Sequence, residues 1–311
     1  MYSEFSVVYA NPESVQSIVQ DSGTKVTLLD TYFQDKNTGW AVGAAGTLLR
    51  TRDGGETWDR LPRRTNVLLT NVTFVGDQHG WIFGQNGTIL HSKNGGKTWI
   101  PQVSGTNAIL YGSYFLDENV GWAVGARGTL LFTTDGGETW DDQGSGITAD
   151  LFGINFFDKD TGWAVGALGV ILATEDGGKH WNLQQTKSPA TFFDIEFIDK
   201  KIGWAIGTQG AIFQTINGGK TWIDQTRPCG APCIKPSDLV KLHFMDSANG
   251  WIIGERGILL FTTDAGFSWT ESEPVSPVSL YGLSVPDKFN GWAVGDQGMI
   301  VKLNQKDSVH Q

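Results

Sequence analysis

Three groups of residues in this 311-residue chain have side chains that could do chemistry. The first is a row of acidic turns: TRDGGETW (Thr51 to Trp58), TTDGGETW (Thr133 to Trp140), TEDGGKHW (Thr174 to Trp181) and TTDAGFSW (Thr262 to Trp269). Repeated carboxylates suggest metal binding or proton transfer. Two further copies, SKNGGKTW (Ser92 to Trp99) and TINGGKTW (Thr215 to Trp222), put Asn94 and Asn217 where the others have Asp. A charge needed for chemistry would not be exchanged so freely. The better reading is structural: Asp or Asn accepts hydrogen bonds from its own turn's backbone, and Gly allows positive φ.

The second group is Asp194 and Glu196 together with Lys241 and His243, in matching segments of neighbouring repeats. They are expected to form an ion pair between repeats, with a small-ligand site as the functional alternative. Alternate carboxylates on one strand stand ~6.5–7 Å apart, so they meet a glycosidase's spacing by accident. The third group is the cysteines, Cys229 and Cys233, in the Pro/Gly-rich stretch RPCGAPCIK (Arg227 to Lys235). Their spacing differs from C-x-x-C and no helix N-terminus is expected to lower a thiol pKa. A local disulfide in an oxidising compartment is therefore expected over a redox pair. Zinc would need about four ligands, and only His243 is near in sequence. No catalytic, metal or cofactor site is assigned.

What positions these groups is a repeat. Gly-Trp recurs at Gly39, Gly80, Gly121, Gly162, Gly203, Gly250 and Gly291, at intervals of 41 residues with one of 47. The seven Gly-Trp tryptophans and the six that close the acidic turns account for all 13 in the chain, so none is left over for a ligand. A period near 41 marks repeated four-stranded units. Six residues before each Gly-Trp stand Phe33, Phe74, Phe115, Phe156, Phe197, Phe244 and Val285, with Thr31, Val72, Ser113, Ile154, Ile195, Leu242 and Leu283 two residues earlier. This spacing describes a strand. GWAVG predicts a second strand, the run after Gly46 and its counterparts a third, and Thr57-Trp58 the start of a fourth.

Seven such meanders bury their faces by stacking around an axis, an all-β, seven-bladed β-propeller. The seventh unit stops after its third strand, Met299 to Leu303. The segment Ser17 to Thr24 aligns with the end of the second unit's fourth strand and is expected to complete the last blade. Residues 17–304 are read as a single propeller domain, with an N-terminal extension at 1–16 and a C-terminal tail at 305–311.

A net charge of −10 argues against nucleic acid or an anionic membrane as main partner. No apolar run reaches the ~18 residues that span a bilayer. The start, MYSEFSVVYANPES, has neither a basic nor an apolar leader region, which fits a cytosolic protein or a mature form whose leader was removed.

Propeller connectivity puts the second-to-third turns and the inter-blade connections on one face and the acidic turns on the other. The acidic-turn face is monotonous, whereas the opposite face varies, and binding favours variable loops on a rigid scaffold. Arg63, Arg64, Arg127 and Arg256 fall on the variable face. Arginine suits a partner's carboxylates or phosphates through bidentate contacts.

The acidic turns resemble the Asp-box, and their combination with G-W-A-V-G-x-x-G resembles the photosystem II stability/assembly factor family, including its relatives in non-photosynthetic bacteria. The resemblance covers about residues 17–304. It implies a non-enzymatic propeller exported to the thylakoid lumen, periplasm or cell surface, which holds a protein client of a membrane complex during assembly. It also implies an arginine patch, to which the arginines here are not assigned one by one. No cofactor is implied, and a monomer is expected. The alternative is a carbohydrate-binding or sialidase-like Asp-box propeller. A sialidase needs three arginines gripping a carboxylate, but five of the eight here, Arg50, Arg52, Arg60, Arg63 and Arg64, crowd into the first unit and its exit loop.

Overall fold

The strand Leu110–Phe115 runs antiparallel to Gly121–Gly125, which pairs with Leu130–Thr133, which pairs with the short Asp141–Asp142. The same meander recurs in seven four-stranded sheets, so the protein is an all-β, seven-bladed propeller. The computed structural model describes residues 15–226 and 236–305. First strands of consecutive blades pack side by side around the axis, and that of blade 7, Leu280–Asp287, meets that of blade 1, Leu28–Phe33. From the Gly-Trp glycine onward the second strands are buried in all seven blades.

The last blade is composite. Val15–Gln20 pairs antiparallel with Ile300–Gln305, with Ser17 opposite Leu303 and Val19 opposite Val301. A side chain confirms that this segment stands in for a fourth strand. Gln20 Nε2 donates to the Gly54 carbonyl of blade 1 at 2.8 Å, as Gln102 of blade 2 donates to Gly136 of blade 3 at 3.0 Å. The fourth strands differ from the sequence expectation in their start. In blade 1 the strand is Asp59–Arg60 rather than beginning at Thr57. Asp53 holds Thr57 through both its backbone N–H (2.9 Å) and its hydroxyl (2.6 Å), which extends the turn through Trp58.

One aromatic device joins the blades. Trp122 of blade 3 stacks on Phe156 of blade 4 with ring centroids 3.6 Å apart, while Trp181 meets the same Phe156 edge-on at 5.9 Å. Trp40–Phe74, Trp81–Phe115, Trp163–Phe197, Trp204–Phe244 and Trp292–Phe33 repeat the stack at 3.5–4.3 Å. The indole N–H of Trp81, Trp122, Trp163 and Trp292 donates to a glycine carbonyl in the next blade's Asp-box at 3.1–3.2 Å. The glycine before each tryptophan has a steric reason. A Cβ on Gly39, Gly80, Gly121, Gly162, Gly203 or Gly250 would clash with the phenylalanine lying across it.

Trp122 is fully buried. Trp122→Ala is expected to cost ~3–5 kcal/mol of stability in urea unfolding, as for other large core truncations. Deleting residues 15–20 would leave Ile300–Gln305 as an unpaired edge, for which loss of solubility or a marked fall in melting temperature is expected. A stable monomeric deletion would contradict the closure.

Candidate functional site

The turn between second and third strands has one backbone in all seven blades. Its middle residue is exposed and left-handed in each: Ala45, Asn86, Arg127, Leu168, Gln209, Arg256 and Gln297, with φ between 54° and 59°. L-residues pay ~1–2 kcal/mol for this conformation, and it persists where the surroundings fix it. The turn is pinned to the neighbouring inter-blade connection: Gly46, Gly87 and Gly169 N–H groups donate to Val67, Ala108 and Ala190 carbonyls at 2.7 Å. Asp150 accepts the Arg127 N–H, and Asp238 that of Gln209, both at 2.8 Å. These contacts put the two kinds of loop together on one face.

Arg63, Arg64, Arg127 and Arg256 are all exposed. The ring does not gather them. Arg63 and Arg64 lie between blades 1 and 2, Arg127 in blade 3 and Arg256 in blade 6, three blades further round. Arg256 Nη2 lies 3.8 Å from Glu255 Oε2.

The polar cluster of blades 5 and 6 does assemble. Lys241 Nζ lies 3.4 Å from Asp194 Oδ1, and Asp194 Oδ2 accepts the Leu242 N–H at 3.0 Å. Glu196 accepts the Phe244 N–H at 3.2 Å, and His243 Nδ1 stands 3.7 Å from Glu196 Oε1. The arrangement is one case of a general device, in which a first-strand side chain accepts a backbone N–H from the next blade's first strand. Asp30 does so with Val72 (2.9 Å), Asn155 with Phe197 (3.2 Å) and Ser284 with Phe33 (2.8 Å).

Electrostatics along this wall follow from enclosure. Burial pushes Asp30 up to about 6 and Glu196 up to about 8. Burial, followed by the charge of Lys241, pulls His243 down to about 4. Burial works against the Lys241 ammonium, but Asp194 and Asp30 outweigh it and its pKa is raised. Lys241 therefore keeps its charge beside Asp194, while burial favours the neutral forms of both Glu196 and His243.

The Asp-box carboxylates are consumed by their own turns. Asp53 accepts hydrogen bonds from the Thr51 hydroxyl and from both the N–H and hydroxyl of Thr57, which hold its pKa down to about 2, the Thr57 hydroxyl first. Asn94 keeps the geometry with one polarity reversed: its Oδ1 accepts the Thr98 N–H at 3.0 Å, and its Nδ2 donates to the Thr98 hydroxyl at 2.8 Å. That swap is why Asn94 and Asn217 fit the turn. Among the described residues no three His, Cys, Asp or Glu side chains converge as a metal cage. Cys229 and Cys233 lie outside the described residues.

One tier of the axial channel escaped the sequence reading. Leu29, Thr70, Tyr111, Phe152, Phe193, Val240 and Tyr281 line its upper part, on the variable-loop side. Each first strand breaks register beside this position; in blade 3 Leu110 faces Gly125, and pairing resumes with Gly112 opposite Val124. Alternation counted back from Gly-Trp fails at that bulge. Aligning the residue ten before each Gly-Trp would have found the tier.

Comparison with known proteins bears on what this ring does. The chain matches the family described as Photosynthesis system II assembly factor YCF48 over residues 11–105, 102–187 and 180–278. It is 53% identical over 36 residues to the photosystem II assembly protein Ycf48 of Thermosynechococcus vestitus, a stretch of 12% of this chain and 10% of that protein. A structure of YCF48 bound to D1 peptide superposes with a TM-score of 0.77 at 22% identity, covering 96% of both chains. YCF48 from Cyanidioschyzon merolae gives 0.74 at 23% identity, over 94% of this chain and 99% of that one. At these identities the structures establish the fold. More distant rings of this shape include a lyase and a xyloglucanase, so shape alone does not decide catalysis.

The enclosed Glu196 makes stability depend on pH. An unfolded chain ionises it near the ordinary 4.5, whereas the folded ring holds the proton up to about 8. Its penalty is absent below pH 4.5 and grows as pH rises towards 8. Glu196→Gln is expected to gain on the wild type across that window, by at most about 1.4 kcal/mol per pH unit. Chemical denaturation at pH 4.5, 6 and 8 checks this, and a constant difference would contradict it.

Proposed function

The chain belongs to the photosynthesis system II assembly factor family, and on that premise we propose that it is a non-catalytic scaffold that holds a protein client of a membrane complex through its variable-loop face. The observation that carries the reading is the set of seven second-to-third turns. Their backbones agree within 5° in φ, yet the exposed residue is Ala, Asn, Arg, Leu, Gln, Arg or Gln. A fixed framework displaying different side chains is the physical form of a recognition surface. A relative bound to D1 peptide supports a polypeptide client. The Asp-box carboxylates, held ionised by their own turns, are poor proton donors, which weighs against the glycosidase alternative.

In this reading Arg63, Arg64, Arg127 and Arg256 act as separate anchors spread over the face rather than as one patch. Each would meet a carboxylate or phosphate on the client. No helix among the described residues is long and apolar enough to cross a membrane. The family and the cysteine spacing support an extracytoplasmic location. Alkylation with and without prior reduction is expected to find Cys229 and Cys233 joined; free thiols in protein from its native compartment would argue against that location.

Charge reversal of Arg63, Arg64, Arg127 and Arg256 together is expected to weaken client capture at least tenfold without lowering the melting temperature. The same reversal at Lys93, Lys97 and Lys220 on the Asp-box face is expected to leave capture intact. Co-purification from solubilised membranes of the source cell reads both. Dependence on the lysines instead would move the working face, and tight binding or turnover on a glycan panel would favour the carbohydrate reading.

A further inference from the structure

We propose that the upper part of the axial channel is a binding site for a basic side chain, arginine or lysine, of a polypeptide partner. The cavity is about 290 Å³ and is walled by the first strands of all seven blades. That space holds roughly ten waters, enough for one long side chain. Tyr111, Phe152 and Phe193, from blades 3, 4 and 5, form a continuous aromatic arc with centroids 4.9 and 5.6 Å apart. All three are half-buried and line the cavity. Ring faces of this kind attract guanidinium and ammonium groups, more strongly where water is partly excluded.

Below the arc the polar groups are held in place. Asp30 Oδ2 accepts Asn71 Nδ2 at 2.7 Å and the Val72 N–H at 2.9 Å, and Asn71 Oδ1 in turn accepts the Ser113 hydroxyl. Across the channel Asp194 carries Lys241. Two carboxylates thus face one ammonium. Gly112, Gly153 and Gly282 occupy the same tier in the other blades, where a Cβ would press on the backbone of the next first strand.

Carboxylates also stand at the rim. Asp296 accepts the Tyr281 hydroxyl at 2.8 Å, Asp150 raises the pKa of the Tyr111 phenol after burial does, and Glu255 accepts the Asp238 N–H at 3.3 Å. Four carboxylates, Asp150, Asp238, Glu255 and Asp296, stand there beside Arg127 and Arg256, with Lys25, Arg63, Arg64 and Lys187 in the connections of the same face. An anionic side chain would meet Asp30 and Asp194 with like charge, whereas a cation is attracted to them. An aromatic wall over a carboxylate floor fits a cation.

The inference rests on the scaffold reading only for the source of the side chain. Capped amino acids test the site directly: N-acetyl-arginine amide, its neutral isostere N-acetyl-citrulline amide, N-acetyl-glutamate amide, and putrescine as a free amine. Backbone amide NMR shifts at Phe152 and Phe193 report binding. The arginine amide is expected to give saturable shifts at these positions, with citrulline at least tenfold weaker. Phe152→Leu and Asp150→Asn are each expected to weaken the arginine amide at least threefold with the melting temperature unchanged. Equal binding of citrulline, tighter binding of the glutamate amide, putrescine binding without the arginine amide, or no effect of either variant would overturn the proposal. Loss of client capture alone, with arginine amide binding retained, would count against the scaffold reading and not against this site.

Discussion

The structure depends on a stack between neighbours: the Gly-Trp indole of one blade lies flat on a phenylalanine of the next. Such pairs contribute ~0.5–1.5 kcal/mol beyond the area they bury, and this one recurs in six of the seven junctions. Each phenylalanine is also met edge-on by the Asp-box tryptophan of its own blade. The Asp-box therefore acts through its tryptophan, and its aspartate serves to shape the turn that delivers it. The seventh junction tests this logic. Blade 7 has no Asp-box tryptophan, its phenylalanine is replaced by Val285, and Trp251 packs instead against Gly291. Stacking partner and edge-on tryptophan are thus both absent from blade 7.

A ring held this way can carry strain and charge elsewhere. The left-handed residues of the variable face, Arg127 and Leu168 among them, stay in place because hydrogen bonds to the adjoining connection fix each turn. Buried charge on the first strands is tolerated for a similar reason. Asp30, Asp194 and Glu196 each accept a backbone N–H of the next blade, so each carboxyl also closes a seam. The polar groups of the channel thus serve two purposes, joining blades and setting the field inside it.

Much of this was legible in the sequence because the repeat locks position to role. The Gly-Trp spacing defined seven blades, and the missing last strand pointed to Ser17 and its neighbours as the closing segment. Asn94 and Asn217, standing where the other four turns have Asp, marked those turns as structural. Contacts across the axis were less accessible. Asp30 and Lys241 are far apart in the chain and influence each other only once the ring closes. The aromatic tier of Tyr111, Phe152 and Phe193 lies beside a bulge, where alternation misleads. The arginines shared a face in sequence terms, yet their dispersal among blades 1 to 6 becomes visible only when the blades are placed in a circle.

The claim that inter-blade stacking holds the ring is tested most directly by a double-mutant cycle on Trp122 and Phe156, with both residues replaced by Leu singly and together and stability measured by urea unfolding. The account predicts a favourable coupling of ~0.5–1.5 kcal/mol for this pair and near zero for the distant pair Trp122 and Phe244. Additive losses at Trp122 and Phe156 would contradict it, leaving the tryptophans as ordinary core filling within their own blades.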